Sequence, residues 1–393
     1  MSIMYLDNNA TTQTAPEVLE AMRPFLSELY GNPSSMHTFG GQIHRKIEDA
    51  RSQVAGLINA DPSEIVFTSC GTESDNTALM SALEINTRKK HIITTRVEHP
   101  AVLNFCHHLG RKGFRITYLP VGSKGELDPD LILKSVDDET ALVSIMYANN
   151  ETGVIFPIDE ITRILADRGI MFHTDAVQAV GKIPVNVQET MIDMLSLSGH
   201  KIHAPKGIGA LYVRKGTRFH PFIIGGHQEH GRRAGTENVA SVIGLGKAAE
   251  LALRNLDEER TTVSRLRDRL EQGLLAACPD ASVNGDTQNR LPNTANISFE
   301  YIEGEAILLR LDEHGICASS GSACSSGSLE PSHVLRAMGI PYTAVHGSIR
   351  FSLSRYTTAA EVDRVIDIMP GIVKELRELS PFGRDRLTCP KQE

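Results

Sequence analysis

Five short segments of this 393-residue sequence place reactive side chains at the ends of apolar runs. In SLSGHK (Ser196–Lys201), Lys201 follows such a run. It reads either as an amine that bonds a carbonyl or as a solvated surface charge, which most lysines are. In FTSCGTESDN (Phe67–Asn76) a run enters a Gly71–Thr72 turn and then a helical pattern. Unpaired backbone N–H groups and a hydroxyl at such a turn suit a phosphate, although Thr72 is equally a plain helix cap. HTDAVQAVGK (His173–Lys182) ends its run on Asp175, and TRVEHPAV offers His99. VHGSIRFSLS sets Arg350 in an apolar stretch, where its planar fork suits a carboxylate. Together these are phosphate donors, an acid, an amine, a flat imidazole and a guanidinium. That inventory is what pyridoxal phosphate and an amino-acid substrate require.

A sixth segment, SSGSACSSGS (Ser319–Ser328), places Cys324 among six serines and two glycines. Such composition usually marks a flexible linker, in which a thiol is incidental. The other reading is a nucleophile that has to travel between two places. Gly321 and Gly327 permit wide backbone excursions, and a thiolate attacks where a thiol does not.

Parallel-sheet strands with helices between them would bring these ends together. EIVFTS, HIITT, RITYLPV, ALVSIMYA, IMFHTDA, MLSLSG and GALYVR read as seven strands between Glu64 and Arg214. ALVSIMYA is apolar without alternation, as a strand covered on both faces should be. Helical patterns cover Ala15–Tyr30, Ser74–Glu84 and Ile158–Asp167. Beyond about residue 255 the pattern changes to a charged helix (Leu256–Ala277), sparse strands in Asn293–Tyr301 and Ser348–Tyr356, and a closing helix over Thr358–Leu379. The reading is an α/β large domain over 15–255. A smaller α+β domain takes 1–14 and 256–382 and carries the Cys324 loop, and 383–393 is a disordered tail.

Bulk composition narrows the function. Forty basic against forty-eight acidic residues give a net charge of −8, which argues against a nucleic-acid surface. No apolar run approaches a membrane span, and MSIMYLDNNATT lacks the basic start of a secretory leader. Six cysteines without zinc-like spacing suggest reduced thiols in the cytoplasm, mostly buried, with Cys317 a core residue. Ser198-x-x-Lys201 with Ser74-Asp75-Asn76 also occurs in penicillin-recognising serine enzymes. The order here is reversed and Lys-Thr-Gly is missing, so that class is rejected.

YLDNNATT, GNPSS, FTSCGTESDN, EHPAV, NNETG, HTDAVQAVGK, SGHK, GRRAGTEN, NTANISFEYIEGEAILL, SSGSAC, SLEPSHVLRAM and IRFSLSRYT resemble the corresponding blocks of cysteine desulfurases. The likeness is greatest to the nitrogen-fixation branch and spans Tyr5 to about Pro381. It implies fold type I of the pyridoxal-phosphate enzymes, with a mainly parallel seven-stranded sheet in the large domain, and a homodimer. It implies that Lys201 links to the cofactor aldehyde, Asp175 pairs with the ring nitrogen and Gln178 donates to the phenolate oxygen. His99 would stack on the ring and shuttle protons. Gly71, Thr72, Ser198 and His200 would hold the phosphate, with Thr236 reaching it from the second subunit. Asn150 and Arg350 would bind the carboxylate of L-cysteine. Cys324 would take the sulfur as a persulfide, leaving alanine. An iron–sulfur scaffold of the NifU type would be the acceptor, Cys324 being a transient cluster ligand by resemblance only. The product sulfur would serve iron–sulfur and nitrogenase metallocluster assembly. A selenocysteine lyase or another fold type I enzyme, such as an aminotransferase, is the alternative.

Overall fold

The computed structural model of this chain describes residues 3–320 and 331–381. Twelve strands occur among these residues: β1 (Met4–Tyr5), β2 (Ile65–Thr68), β3 (His91–Thr95), β4 (Arg115–Leu119), β5 (Thr140–Ser144), β6 (Met171–Asp175), β7 (Met194–Ser198), β8 (Gly209–Val213), β9 (Ala281–Val283), β10 (Thr294–Phe299), β11 (Ile316–Cys317) and β12 (Ser348–Ser352). Strands β2 to β8 form one sheet in the order β2-β8-β7-β6-β5-β3-β4. Six of them lie within runs read from the sequence, and β5 starts one residue before its run, at Thr140. Only β8 runs against its neighbours; the rest are parallel.

The sheet is buried on both faces because its strands alternate between two apolar layers. Ile65, Phe67, Ile93, Val143, Leu195, Leu197 and Tyr212 join the core shared with the helices Thr38–Leu57 and Val239–Arg254. Val66, Ile92, Leu142, Met194 and Leu211 face the opposite layer, with the helices Gly71–Ile85 and Pro100–Arg111. Parallel strands all end at one edge, so β2, β3, β6 and β7 deliver Gly71, His99, Asp175 and Lys201 to the same side. Strand β8 begins at this edge. A Cβ at Gly209 would lie 2.8 Å from the Cys70 carbonyl carbon and from Leu197 O, so only glycine lets the ends of β2 and β7 approach so closely.

A second core gathers Leu6 with Val263, Leu270, Phe299, Phe351, Val365 and Met369. It lies under the antiparallel sheet β12-β10-β9, and β1 pairs with β11. Isolated bridges join Asp7 to Ser352 and Ser319 to Arg350, which ties β1 and β11 to β12.

Three expected elements differ in detail. The helix expected over Ala15–Tyr30 is two pieces, Pro16–Met22 and Pro24–Ser27, because Pro24 has no N–H to continue the ladder. The charged helix from Leu256 is interrupted by a π turn at Glu259–Val263 before resuming as Ser264–Ala277. That turn carries a buried Glu259. The closing helix is Ala359–Leu379, and Thr358 and Glu361 form its capping box.

Candidate active site

A cavity of about 240 Å³ opens at the sheet edge and is lined by Asn9, Ala10, Cys70, Gly71, Thr72, Asp75, His99, Met146, Ala148, Asn150, Asp175, Val177, Gln178, Ser198, His200, Lys201 and Arg350. The structure therefore collects ten residues singled out from sequence. Cys324 lies outside the described residues. Thr236 is exposed and does not line the cavity.

Lys201 ends the 3₁₀ turn Gly199–Lys201 that follows β7, and this turn aims its side chain back over the strand ends. Its Nζ donates to the carbonyls of Asn9 at 2.5 Å and Ala10 at 2.8 Å. The lysine is thus held in the cavity, not solvated.

The helix Gly71–Ile85 starts at the cavity wall, and its N-cap Cys70 supplies no side-chain bond to the first turn. A long helix with uncapped N–H groups is an anion site in waiting. Ser198 Oγ is buried beside it with no hydrogen-bond partner among the described residues. A side chain at position 71 would strike Val177 Cγ2 at 2.8 Å, so glycine keeps this cradle open. His200 Nδ1 lies 3.2 Å from Thr11 Oγ1, and burial pushes its imidazole down to about 4.

Asp175 ends β6. Burial raises its carboxyl, while His99, the Val177 amide 3.0 Å from Oδ1, and Lys201 favour the anion. A buried acid in that position gains from a cationic partner. His99 caps the helix Pro100–Arg111, where its Nδ1 accepts from the Ala101 amide at 3.2 Å. Burial lowers its pKa, with Lys201 and His333 acting the same way and Asp175 opposing. The neutral ring with Nδ1 as acceptor carries its proton on Nε2.

Gln178 Nε2 donates to Asn9 O at 3.0 Å, and its Oε1 accepts from Lys182 Nζ at 2.7 Å. Arg350, in the middle of β12, donates Nη1 to Asn150 O and Nη2 to Asp7 Oδ1, both at 2.9 Å. Its Nε is buried without a partner among the described residues. The fork is anchored on one side and retains donor capacity.

Sequence reasoning gave no role at this site to Asn9, Ala10 or Lys182, and it named Asp75 only within the Ser74-Asp75-Asn76 motif of a rejected class. Asn9 and Ala10 stand in YLDNNATT, whose polar residues give no periodic signal. Asp75 looked like part of a helix, yet it is 1% exposed with Oδ1 unpartnered among the described residues. Burial and the nearby Asp175 push it well up. His173 Nε2 is 3.6 Å from Asp75 and 2.9 Å from Ser196 Oγ, and burial drives His173 down to about 3.

These donors fit pyridoxal phosphate: an uncapped helix start, an orphan hydroxyl, a lysine, a buried acid and an imidazole share one cavity. Among the described residues no cluster of His, Cys, Asp and Glu could hold a metal ion. No described helix is long and apolar enough to cross a membrane.

The family model for class-V aminotransferases matches residues 4–365. A cysteine desulfurase of Nostoc sp. is 66% identical over 385 residues, covering 98% of this chain and 96% of its own. The cysteine desulfurase NifS of Azotobacter vinelandii is 60% identical over 383 residues, covering 97% of this chain and 95% of its own. Among solved structures, a NifS-like protein superposes with a TM-score of 0.90 at 41% identity, covering 95% of this chain and 100% of its own. Fold, cavity and sequence agree, and this chain belongs to the class-V aminotransferase family of pyridoxal-phosphate enzymes.

Proposed function

We propose that this chain is a cysteine desulfurase, converting L-cysteine to L-alanine and passing the sulfur through Cys324 to an acceptor. The observation that carries the reading is the convergence of Lys201, Asp175, His99, the Gly71–Ile85 helix start and Arg350 on one cavity. The desulfurases of Nostoc and Azotobacter, 66% and 60% identical over nearly the whole chain, support it.

Gly71, Thr72, Ser198 and His200 would hold the cofactor phosphate, Asp175 the ring nitrogen, Gln178 the phenolate oxygen and Lys201 the aldehyde. Bound there, pyridoxal phosphate supplies an electron sink that lets the substrate α-carbon give up its proton. Lys201, whose Nζ rests on the Asn9 and Ala10 carbonyls, would be the residue that holds the cofactor aldehyde and carries the proton at Nζ. His99 offers Nε2 as the second proton carrier. Arg350, with Asn150, holds the substrate carboxylate. The Cys324 thiolate attacks the substrate sulfur. An S–S bond forms as the Cβ–S bond breaks, and the pair of that bond stays with the β-carbon, which takes a proton.

The active unit is a homodimer in which Thr236 of one copy completes the phosphate site of the other. Its exposure and absence from its own chain's cavity support this placement. The acceptor is an iron–sulfur scaffold of the NifU type, in the cytoplasm, with Cys324 a transient cluster ligand during hand-off. The NifS name of the Azotobacter relative supports the link to nitrogenase cluster assembly. Division at about residue 255 into a large and a small domain is supported by the separate core of Leu6 with Val263–Val373, although Leu291, Val334, Leu335, Met338 and Val345 join the core of the large sheet.

The test uses two variants. Cys324→Ala should stay yellow and release no sulfide from cysteine, while Lys201→Ala should lose the linked chromophore. Mass spectrometry of the wild type after cysteine should find one extra sulfur on the peptide bearing Cys324. Continued sulfide release by Cys324→Ala would sink the nucleophile assignment.

A further inference from the structure

Lys182 stands seven residues after Asp175 and is only 5% exposed. A buried ammonium is costly, and a lysine survives there when its N–H groups are taken up. Its Nζ donates to Gln178 Oε1 at 2.7 Å and to Asn9 Oδ1 at 3.1 Å.

Both amides are oriented by independent partners. Asn9 Nδ2 donates to the Asn150 carbonyl, which can only accept, so Asn9 Oδ1 must face Lys182. Gln178 Nε2 donates to the Asn9 carbonyl, again an obligate acceptor, so Gln178 Oε1 must face Lys182 as well. The Asn9 carbonyl also accepts from Lys201. With Oε1 occupied, Gln178 has only N–H left to present to the cavity it lines.

We propose that Lys182 is a positioning residue that fixes the Gln178 amide as a donor toward the cofactor's phenolate oxygen. The proposal rests on the cofactor reading given above. It does not depend on the charge of Lys182, since a neutral amine keeps two N–H groups, enough for both oxygens. Burial and the nearby Lys201 pull its pKa down to about 7, Glu259 opposes, and Arg350 adds to the depression. Glu259 on the π turn is the counter-charge, and burial raises it to about 7. His200 and His203 also lie within the field of Lys182.

An N–H donated to the phenolate oxygen disperses its negative charge, so the nitrogen joining Lys201 to the cofactor binds its proton less tightly. The readout is therefore the pH midpoint of the yellow absorbance band of the holoenzyme. Gln178→Ala should raise that midpoint by about one unit. Lys182→Met should raise it in the same direction but by less, because the Asn9 carbonyl still holds Gln178 Nε2, and Lys182→Gln, which keeps a donor for Oε1 without a charge, should leave it near the wild type. In the Gln178→Ala background, Lys182→Met should add nothing. Where the Met variant is unstable, Lys182→Met with Glu259→Gln removes both buried charges and gives the same readout. A wild-type midpoint in Lys182→Met, or a Lys182→Met shift that persists without Gln178, overturns the proposal. So does Lys182→Gln behaving as Lys182→Met. An unshifted Gln178→Ala instead removes the Gln178 contact, and with it the reading on which the proposal stands.

Discussion

Arg350 joins two tasks in one side chain. Its Nη2 holds Asp7 and its Nη1 the Asn150 carbonyl, leaving Nε unpartnered among the described residues in a cavity wall. Arg350→Ala should raise KM for cysteine at least tenfold, each decade being about 1.4 kcal/mol, and Arg350→Lys should recover only part because it lacks the fork. Steady-state kinetics check this, and an unchanged KM would place the substrate carboxylate elsewhere. Single residues were unevenly legible. Lys201, Asp175 and His99 stand after recognisable strands, so their positions could be read from the chain. Lys182 and Asp75 could not, because a buried charge looks like a surface one until its neighbours are known. Cys70, just before the Gly71–Thr72 turn, lines the cavity half-buried. Cys317, expected in the core, is likewise half-buried, on the short strand β11.

Between elements, the seven strands announced themselves because two-sided burial demands unbroken apolar runs. The 20-residue helix Thr38–Leu57 did not, since it opens on Gly40 and Gly41 and its stripe is diluted by charge. What fixes this helix to the sheet is Arg51, which pairs with Glu229 through two bonds of 2.7 and 2.9 Å and also donates to Ile65 O. Glu229 Oε2 accepts from the Phe67 amide as well, so one carboxylate clamps helix, β2 and the loop before Thr236. The loop adopts φ of 47° at Glu229 to do so, an unfavourable conformation that the pairing sustains. Glu229→Gln should cost about 1–3 kcal/mol, because Arg51 loses its buried counter-charge but keeps Glu48 at 3.2 Å and the Ile65 carbonyl. Arg51→Met with Glu229→Leu should cost less than the single variant. Urea midpoints decide it, and equal losses would mean that the pair is not acting as a unit.

At the scale of the molecule, the proposal that Thr236 serves the second subunit would make a complete phosphate site a property of two copies. Light scattering should give a dimer. Thr236→Ala should keep that dimer yet weaken cofactor binding by about tenfold, in line with a lost bond to a charged group. A fully active monomer would end this assignment. The overall class was readable in the sequence because alternating strand and helix patterns dictate layers. The joining of β1 to β11 and β12 was not, since strands of two residues leave no pattern. Yet that joining has a temporal consequence. The Asn8 side chain bonds the Ser352 carbonyl across 344 positions of chain, and the carbonyl that docks Lys201 belongs to the next residue. During folding, the segment around Asn8 must therefore wait for β12 before it can settle. The carbonyl that docks Lys201 is thus fixed only once β12 has folded against the segment around Asn8.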